Sequence, residues 1–244
     1  MRVEESTGIH VGERSRRYLA GVDPAVQRFA ELINGASADR HLDLACALVA
    51  CAIDHTADVG SILVGLDRVA ETCPPSFEGI VDTLFASGRF VGDSDDYHDP
   101  RNSLLNEVLA RHIGMPITLS VVAMEVGKRR GVPIRGVGLP GHFVIRDKES
   151  GTFADPFGGG VRYDEAGMIA SWEQRMGGEA AFRPAMLTPT SAHDIVLRIL
   201  NNLKQSLVTR DQPVLLARLA PLRAAFPELV QERDEHRRWL RHFN

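Results

Sequence analysis

The sequence predicts an α+β fold in which a small antiparallel sheet lies against one central helix. Three observations carry this prediction. Apolar residues recur at helical steps over the first ninety residues, short β-type runs follow between residues 134 and 155, and helical periodicity returns from Asp164 onward. Because short turns join the β-type runs, we expect neighbouring strands to be antiparallel.

The N-terminal part is predicted to consist of a loose polar tail, residues 1–22, and a helical region, residues 23–90. Asp23 and Pro24 have the residue types of a helix start, and Ser76 is predicted to cap the last helix of this region. The region between them shows apolar residues three and four positions apart, which is the pattern of amphipathic helices.

A core domain is predicted over residues 91–176. A polar loop, residues 92–102, precedes a helix that we expect Asn102 or Ser103 to cap. The central helix begins at Pro116 and ends at Gly131. The β-type runs that follow cover residues 134–138, 142–147 and 152–155, with a further short strand at 161–163.

Residues 177–244 are predicted to form a C-terminal helical region. Ser191 opens a long helix, a break follows at residues 211–213, a second helix continues to about Phe226, and a charged run ends the chain. Two antiparallel helices with a short connection resemble a single tetratricopeptide unit. One unit does not make a repeat array.

Composition and charge exclude several classes of protein. The chain has 28 Lys and Arg against 32 Asp and Glu, a net charge of −4, which disfavours binding to nucleic acid. It has no apolar run of about 18 residues, so no membrane span is expected. With no apolar signal segment and with the three cysteines Cys46, Cys51 and Cys73, a cytoplasmic location is predicted.

One pair of side chains could carry chemistry. His142 opens a predicted strand, and Asp155 closes the next one, so the two should lie close together. A carboxylate beside a histidine fixes its tautomer, as in nucleophilic triads, although the spacing fits a plain polar pair as well. The histidines are scattered and no cysteine accompanies His98, His112 or His142, so we expect no metal site and no cofactor.

The segment from Asp95 to Gly160 resembles the bacterial SirB-type family within the transglutaminase-like superfamily. The helical regions on both sides, including the start of the C-terminal hairpin at residues 197–204, are similar as well. The matching words are Tyr97, Asp99-Pro100-Arg101-Asn102-Ser103, Leu105-Asn106, Val108-Leu109, Gly114-Met115-Pro116-Ile117, Leu119-Ser120, Gly131-Val132-Pro133, Gly141-His142-Phe143 and Asp155-Pro156-Phe157.

This resemblance implies a papain-like core. In transglutaminase-like enzymes a cysteine at the start of the central helix attacks an amide carbonyl, and a histidine and an aspartate complete the triad. On this chain His142 and Asp155 take the last two positions, and Pro116 takes the place of the cysteine. Proline offers neither a thiol nor a backbone N–H, so the resemblance implies that the usual nucleophile is absent.

Ser120 could replace the missing nucleophile, since it lies one helical turn after Pro116 on the same face. Thr118, about 200° around the helix from Pro116, is predicted to point away from His142. Glu107 and Arg111 are predicted to form a surface pair. The remaining candidates for lining the cleft are Asn102, Asn106, Pro116, Thr118, Phe143 and Phe157.

Three functions remain open from the sequence. The first is a non-catalytic or regulatory module whose cleft binds an unidentified peptide or protein. The second is a hydrolase or acyl-transfer enzyme acting on amides or esters through His142 and Asp155, with Ser120 or a water as the nucleophile. The third is an interaction protein that acts through its C-terminal helices.

Overall fold

The computed structural model describes residues 24–35, 41–177 and 181–229, and over these ranges it confirms the α+β prediction. The predicted tail, residues 1–22, and most of the charged C-terminal run lie outside the described residues. The helices are α1 (Pro24–Ile33), α2 (Leu42–Ile53), α3 (Val59–Glu71), α4 (Phe77–Val81), α5 (Leu105–Arg111), α6 (Pro116–Arg130), α7 (Glu165–Met176), α8 (Ala192–Thr209) and α9 (Pro213–Arg223). The strands are β1 (Val91–Gly92), β2 (Ile113–Gly114), β3 (Ile134–Leu139), β4 (His142–Asp147), β5 (Phe153–Asp155) and β6 (Val161–Tyr163).

Strands β3 to β6 form one antiparallel sheet in chain order, as the short turns between them require. Leu139 pairs with His142 across a two-residue turn, in which Gly141 has a φ of 70°. Such a positive φ favours glycine, because any other side chain would be strained there. The turn thereby fixes where His142 enters the sheet.

Helix α6 lies between this sheet and the N-terminal helices, in contact with β3 and β4 on one side and α3 on the other. Its residues are therefore buried almost all around the helix, and Val121, Val122 and Val126 have no exposed surface. This burial fixes the position of the N-terminus of α6, where Pro116 is the first residue.

The larger of two hydrophobic clusters in the described ranges extends from Val26 in α1 to Phe226 after α9. The rings of Phe29 and Phe226 lie 6.1 Å apart, so both ends of the described chain meet in this cluster. A smaller cluster around Trp172 packs α7 against the opposite part of the sheet. The three regions distinguished in the sequence, residues 23–90, 91–176 and 177–244, thus share their main core.

Two local predictions before α6 are wrong. Helix α5 starts one or two residues later than expected, with Leu104 at its N-cap, so neither Asn102 nor Ser103 caps it. Arg111 does not pair with Glu107. Its guanidinium instead donates to Asn102 Oδ1 at 3.2 Å and lies 3.8 Å from Asp93. Arg111 thus binds residues of the preceding loop and not a residue of its own helix, because that loop packs against α5.

A charged network joins α6 to the N-terminal helices. Arg129 donates to Asp43 in α2, to Asp67 in α3 and to Glu125 in α6, at 3.0, 2.6 and 3.1 Å. Burial raises the pKa of Glu125, and the nearby negative charge of Asp43 raises it further. Arg129 therefore neutralises two carboxylates that have little access to water, those of Glu125 and Asp43, and an exposed one, that of Asp67.

We expect the substitution Arg129→Ala to lower the free energy of unfolding by about 2–3 kcal/mol, because it leaves Glu125 and Asp43 as poorly compensated buried charges. Urea unfolding followed by circular dichroism measures this change. Arg135→Ala is the matched control, since Arg135 is exposed on β3 and should change stability by less than about 0.5 kcal/mol. Equal stability of the two variants would contradict this role of Arg129.

Candidate functional site

The centre of the site is a buried histidine–aspartate pair on adjacent strands. His142 opens β4 and Asp155 closes β5, and His142 Nε2 lies 2.8 Å from Asp155 Oδ2. The two side chains are only 3% and 6% exposed. Because Asp155 occupies Nε2, the other ring nitrogen, Nδ1, is left without a hydrogen-bond partner among the described residues. The pair therefore has the geometry of a histidine oriented by a carboxylate.

Asp155 is held as a carboxylate by the turn that follows it. The backbone N–H groups of Phe157 and Gly158 both donate to Oδ1 at 3.0 Å, and Arg175 lies 3.7 Å from Oδ2. Burial opposes ionisation, but the hydrogen bond with His142 and these donors keep the pKa of Asp155 below its ordinary value. A Cβ on Gly158 would lie 2.9 Å from Oδ2, so the tight turn needs glycine there.

The N-terminus of α6 presents proline where the resemblance places a nucleophile. Pro116 is the first helical residue and has no N–H to offer. The N–H of Met115, one residue earlier, already donates to Asn102 O and Thr118 Oγ1, at 3.2 and 3.1 Å. Of the backbone N–H groups that are usually free at the start of a helix, the one at residue 116 is therefore missing and the one of Met115 is already bonded.

Ser120 is not positioned as a nucleophile. Its side chain is completely buried, and its hydroxyl donates to Pro116 O, one turn back in the same helix, at 2.8 Å. Within the described part of the chain, no hydrogen bond joins Ser120 to His142. The elements packed on both sides of α6 enclose Ser120, and a carbonyl of the same helix accepts the hydrogen bond of its hydroxyl.

A cavity of about 460 Å³ opens beside His142. It lies between the N-terminus of α6, the turn that joins β3 to β4, one face of α8 and the loop before α5. Of the residues predicted to line a cleft, it includes Pro116 and Phe143. The other residues that give the cavity its polar character are Tyr97, His98, Arg198, Asn202 and Gln205.

Three other predicted cleft residues lie behind this lining and support it. Asn102 donates to Asp93 Oδ2 and Asp96 O, both at 2.9 Å, and so holds the loop that carries Tyr97. The hydroxyl of Thr118 donates to Asn102 O at 2.5 Å. The ring of Phe157 contacts that of Tyr97 edge-on, with centroids 5.9 Å apart.

Asn106 does not belong to this site. Its amide donates to Asp54 Oδ2 at the end of α2, at 2.9 Å. Helix α5 is short and packs against α2 and α3, so a residue one turn after Asn102 faces the N-terminal helices instead of the cavity.

Sequence reasoning missed the contribution of α8. Arg198, Asn202 and Gln205 are spaced by four and three residues, so they follow one face of this helix and all border the cavity. This polar stripe on one face of an amphipathic helix was a signal available in the sequence. It did not indicate which part of the fold the stripe would meet.

Within the described ranges, no group of three or more His, Cys, Asp or Glu side chains is arranged to hold a metal ion. None of the helices described there combines the length and apolarity that a bilayer crossing requires.

Comparison with known proteins places this site within a matched region. A family model described as "Transglutaminase-like superfamily" matches residues 55–201, which include α6, the sheet and the start of α8. No solved structure matches the chain significantly.

Similar proteins come from bacteria and from animals. The chain is 39% identical to a UPF0162 protein of Xylella fastidiosa over 134 residues, 53% of this chain and 48% of that protein. It is 32% identical to a UPF0162 protein of Pseudomonas aeruginosa over 130 residues, 52% of this chain and 47% of that protein. A segment of 63 residues, 26% of this chain and 10% of the relative, is 33% identical to human F-box only protein 21. The chain thus spans about half the length of the bacterial relatives.

Proposed function

The chain belongs to the transglutaminase-like superfamily, and from this premise we propose that its cleft binds a peptide or protein segment without catalysing acyl transfer. The observation that carries the proposal is Pro116 at the start of α6, beside a complete His142–Asp155 pair. The narrower assignment to the SirB-type family is consistent with this proposal and stays a prediction, as does a cytoplasmic location.

Acyl transfer needs a nucleophile and donors for the developing oxyanion. Pro116 supplies neither of these. The hydroxyl groups nearest in sequence, on Thr118 and Ser120, donate to backbone carbonyls of Asn102 and Pro116. The oriented histidine is therefore left beside an open cavity of about 460 Å³ with amide and guanidinium groups on its wall. Such a concave site with a few convergent polar groups is typical of ligand binding.

The first test is a titration of protein labelled with ¹⁵N-histidine with pools of random hexapeptides, followed by NMR. We expect the ring signals of His142 to shift, whereas those of His193, which contacts Glu228 away from the cavity, stay in place. His193 thus serves as an internal control. If no pool moves the His142 signals, the binding proposal is wrong.

A second candidate function is hydrolysis by a water that His142 activates. The 2.8 Å contact between His142 and Asp155 favours it, because that pair is the general-base half of a triad. Wild type and His142→Ala should be compared on a panel of amides and esters. The non-catalytic proposal expects equal background rates, and a His142-dependent rate gain of about 10²-fold or more would establish hydrolysis instead.

The C-terminal hairpin remains a third candidate for partner binding, but its helix α8 also forms part of the cavity wall. Leu200 and Leu203 of α8 belong to the main hydrophobic cluster. Removing residues after about 190 would therefore disturb both the cleft and the core. Point substitutions within α8 therefore distinguish binding by the C-terminal hairpin from binding in the cleft better than truncation does.

A further inference from the structure

Arg198 is fixed in place at the wall of the cavity. Both N–H groups of its Nη2 donate to backbone carbonyls at the turn between β3 and β4, to Leu139 O at 2.9 Å and to His142 O at 2.7 Å. Its guanidinium carbon lies 5.4 Å from the centre of the Phe143 ring. These contacts hold the side chain rigidly, so little rotamer entropy remains to be lost when a ligand binds.

The charge of Arg198 has no counterion within the described ranges. No carboxylate there lies within 4 Å of its guanidinium, and burial lowers the pKa of Arg198. A guanidinium has five N–H donors, and the three on Nε and Nη1 have no acceptor among the described residues. Arg198 lines the cavity, so this desolvated, rigid cation borders whatever enters it, with donors that have no acceptor among the described residues.

The neighbouring charges do not neutralise this cation. Asp155, the carboxylate paired with His142, is already bound by that histidine, by two backbone N–H groups and by Arg175. Asn202 and Gln205 add uncharged amide groups one and two turns after Arg198 on the same helix face. The wall formed by α8 thus offers one positive charge followed by two side chains that can donate to or accept from peptide groups.

We propose that Arg198 binds a carboxylate of the ligand and that Asn202 and Gln205 bind the adjoining peptide groups. This inference rests on the proposed function and names the chemistry that the cleft selects. Both N–H groups of Nη2 are already occupied, so the carboxylate would be bound through one oxygen, by a free N–H of Nε or Nη1, in a charge-assisted hydrogen bond. The carboxylate comes either from the C-terminus of a peptide or from an aspartate or glutamate side chain.

The same site is poorly built for a phosphate group. Phosphate sites commonly combine several cations or the free N–H groups at the start of a helix. Here Pro116 removes one such N–H and the Met115 N–H is occupied. A single guanidinium matches the single charge of a carboxylate.

The test uses the full chain and four acetylated alanine pentapeptides. One ends in a free α-carboxylate. The other three are C-terminally amidated and end in glutamate, glutamine or lysine. NMR follows the Nε–Hε signal of Arg198 and the ring signals of His142. We expect at least one carboxylate peptide to bind about tenfold tighter than the glutamine peptide, and the two carboxylate peptides to show which source is preferred.

Three variants separate charge recognition from structural support. Arg198→Gln should abolish the preference for the carboxylate. Because that change also removes contacts to Leu139 and His142, Asn202→Glu is the second variant. It keeps Arg198 and places a competing carboxylate one turn away, and should weaken carboxylate binding about tenfold. The control, Arg135→Gln, removes an exposed arginine outside the cavity and should leave binding unchanged.

The outcomes distinguish this inference from the proposed function. Binding of all four peptides with equal affinity would leave the proposed function standing and overturn the role of Arg198. Unchanged carboxylate preference in Asn202→Glu would also overturn it. A failure of every peptide to shift either Arg198 or His142 would contradict the binding of peptides at this cleft altogether.

Discussion

The substitution Pro116→Cys should create a thiol that iodoacetamide alkylates at least about tenfold faster near pH 6.5 than the native thiol of Cys51. The new side chain would stand at the first position of α6 and border the same cavity as His142. The positive end of a helix stabilises a thiolate, and a neighbouring imidazolium stabilises it further. The pKa of this thiol should therefore lie below the ordinary value of about 8.5.

The measurement is alkylation at several pH values, with each cysteine quantified by peptide mass spectrometry. Cys46 and Cys73 are buried and should react slowly. For Cys46, burial also raises the pKa of the thiol far above its ordinary range, which keeps it protonated.

A control for the helix N-terminus is Pro213→Cys, because Pro213 is also the first residue of a helix, α9, although it is exposed and Pro116 is buried. It shares the helix N-terminus with Pro116→Cys but not the neighbouring histidine. If His142→Ala leaves the reactivity at position 116 unchanged, His142 does not face the nucleophile position.

Asp155→Asn is expected to lower the free energy of unfolding by about 2–4 kcal/mol near neutral pH. The carboxylate accepts hydrogen bonds from Phe157 and Gly158 and contacts His142 at 2.8 Å. An asparagine can keep only part of this pattern, because one of its two terminal atoms is a donor. Urea unfolding measured at a series of pH values gives the difference between wild type and variant.

This difference should depend on pH in a defined direction. The pKa of Asp155 lies below its ordinary value in the folded protein. The carboxylate therefore contributes its full stabilisation of the folded state above the ordinary carboxyl pKa of about 4. It is lost as the pH falls through the lower folded value, where the carboxylate takes up a proton. The difference in free energy of unfolding between wild type and Asp155→Asn should therefore be constant from pH 7 to about pH 5 and decrease below about pH 4.

Asp164→Asn is the control for this series. Asp164 is exposed and caps α7, and asparagine is about as good a cap, so stability should change by less than about 0.5 kcal/mol. A loss for Asp155→Asn no larger than that of the control would contradict the role assigned to the buried carboxylate. A gap that grows on acidification would contradict the lowered pKa.

Local features of this protein could be predicted from its sequence because short connections decide them. The turn at Gly141 and the short segment between β4 and β5 leave the neighbouring strands only an antiparallel arrangement. His142 and Asp155, 13 residues apart, are brought together by that arrangement alone. The absence of a thiol at residue 116 follows from its identity, since no packing gives proline a thiol.

The tertiary structure decided which side chains share the cavity. Arg198 binds the carbonyl of His142 from 56 residues away, and nothing in the helical periodicity around it identifies that partner. Ser120 and Asn106 have residue types that suit an active site, but packing directs them to Pro116 O and Asp54 instead. A periodic pattern shows which face of an element is polar, whereas the partner of that face depends on how the common hydrophobic core brings distant elements together.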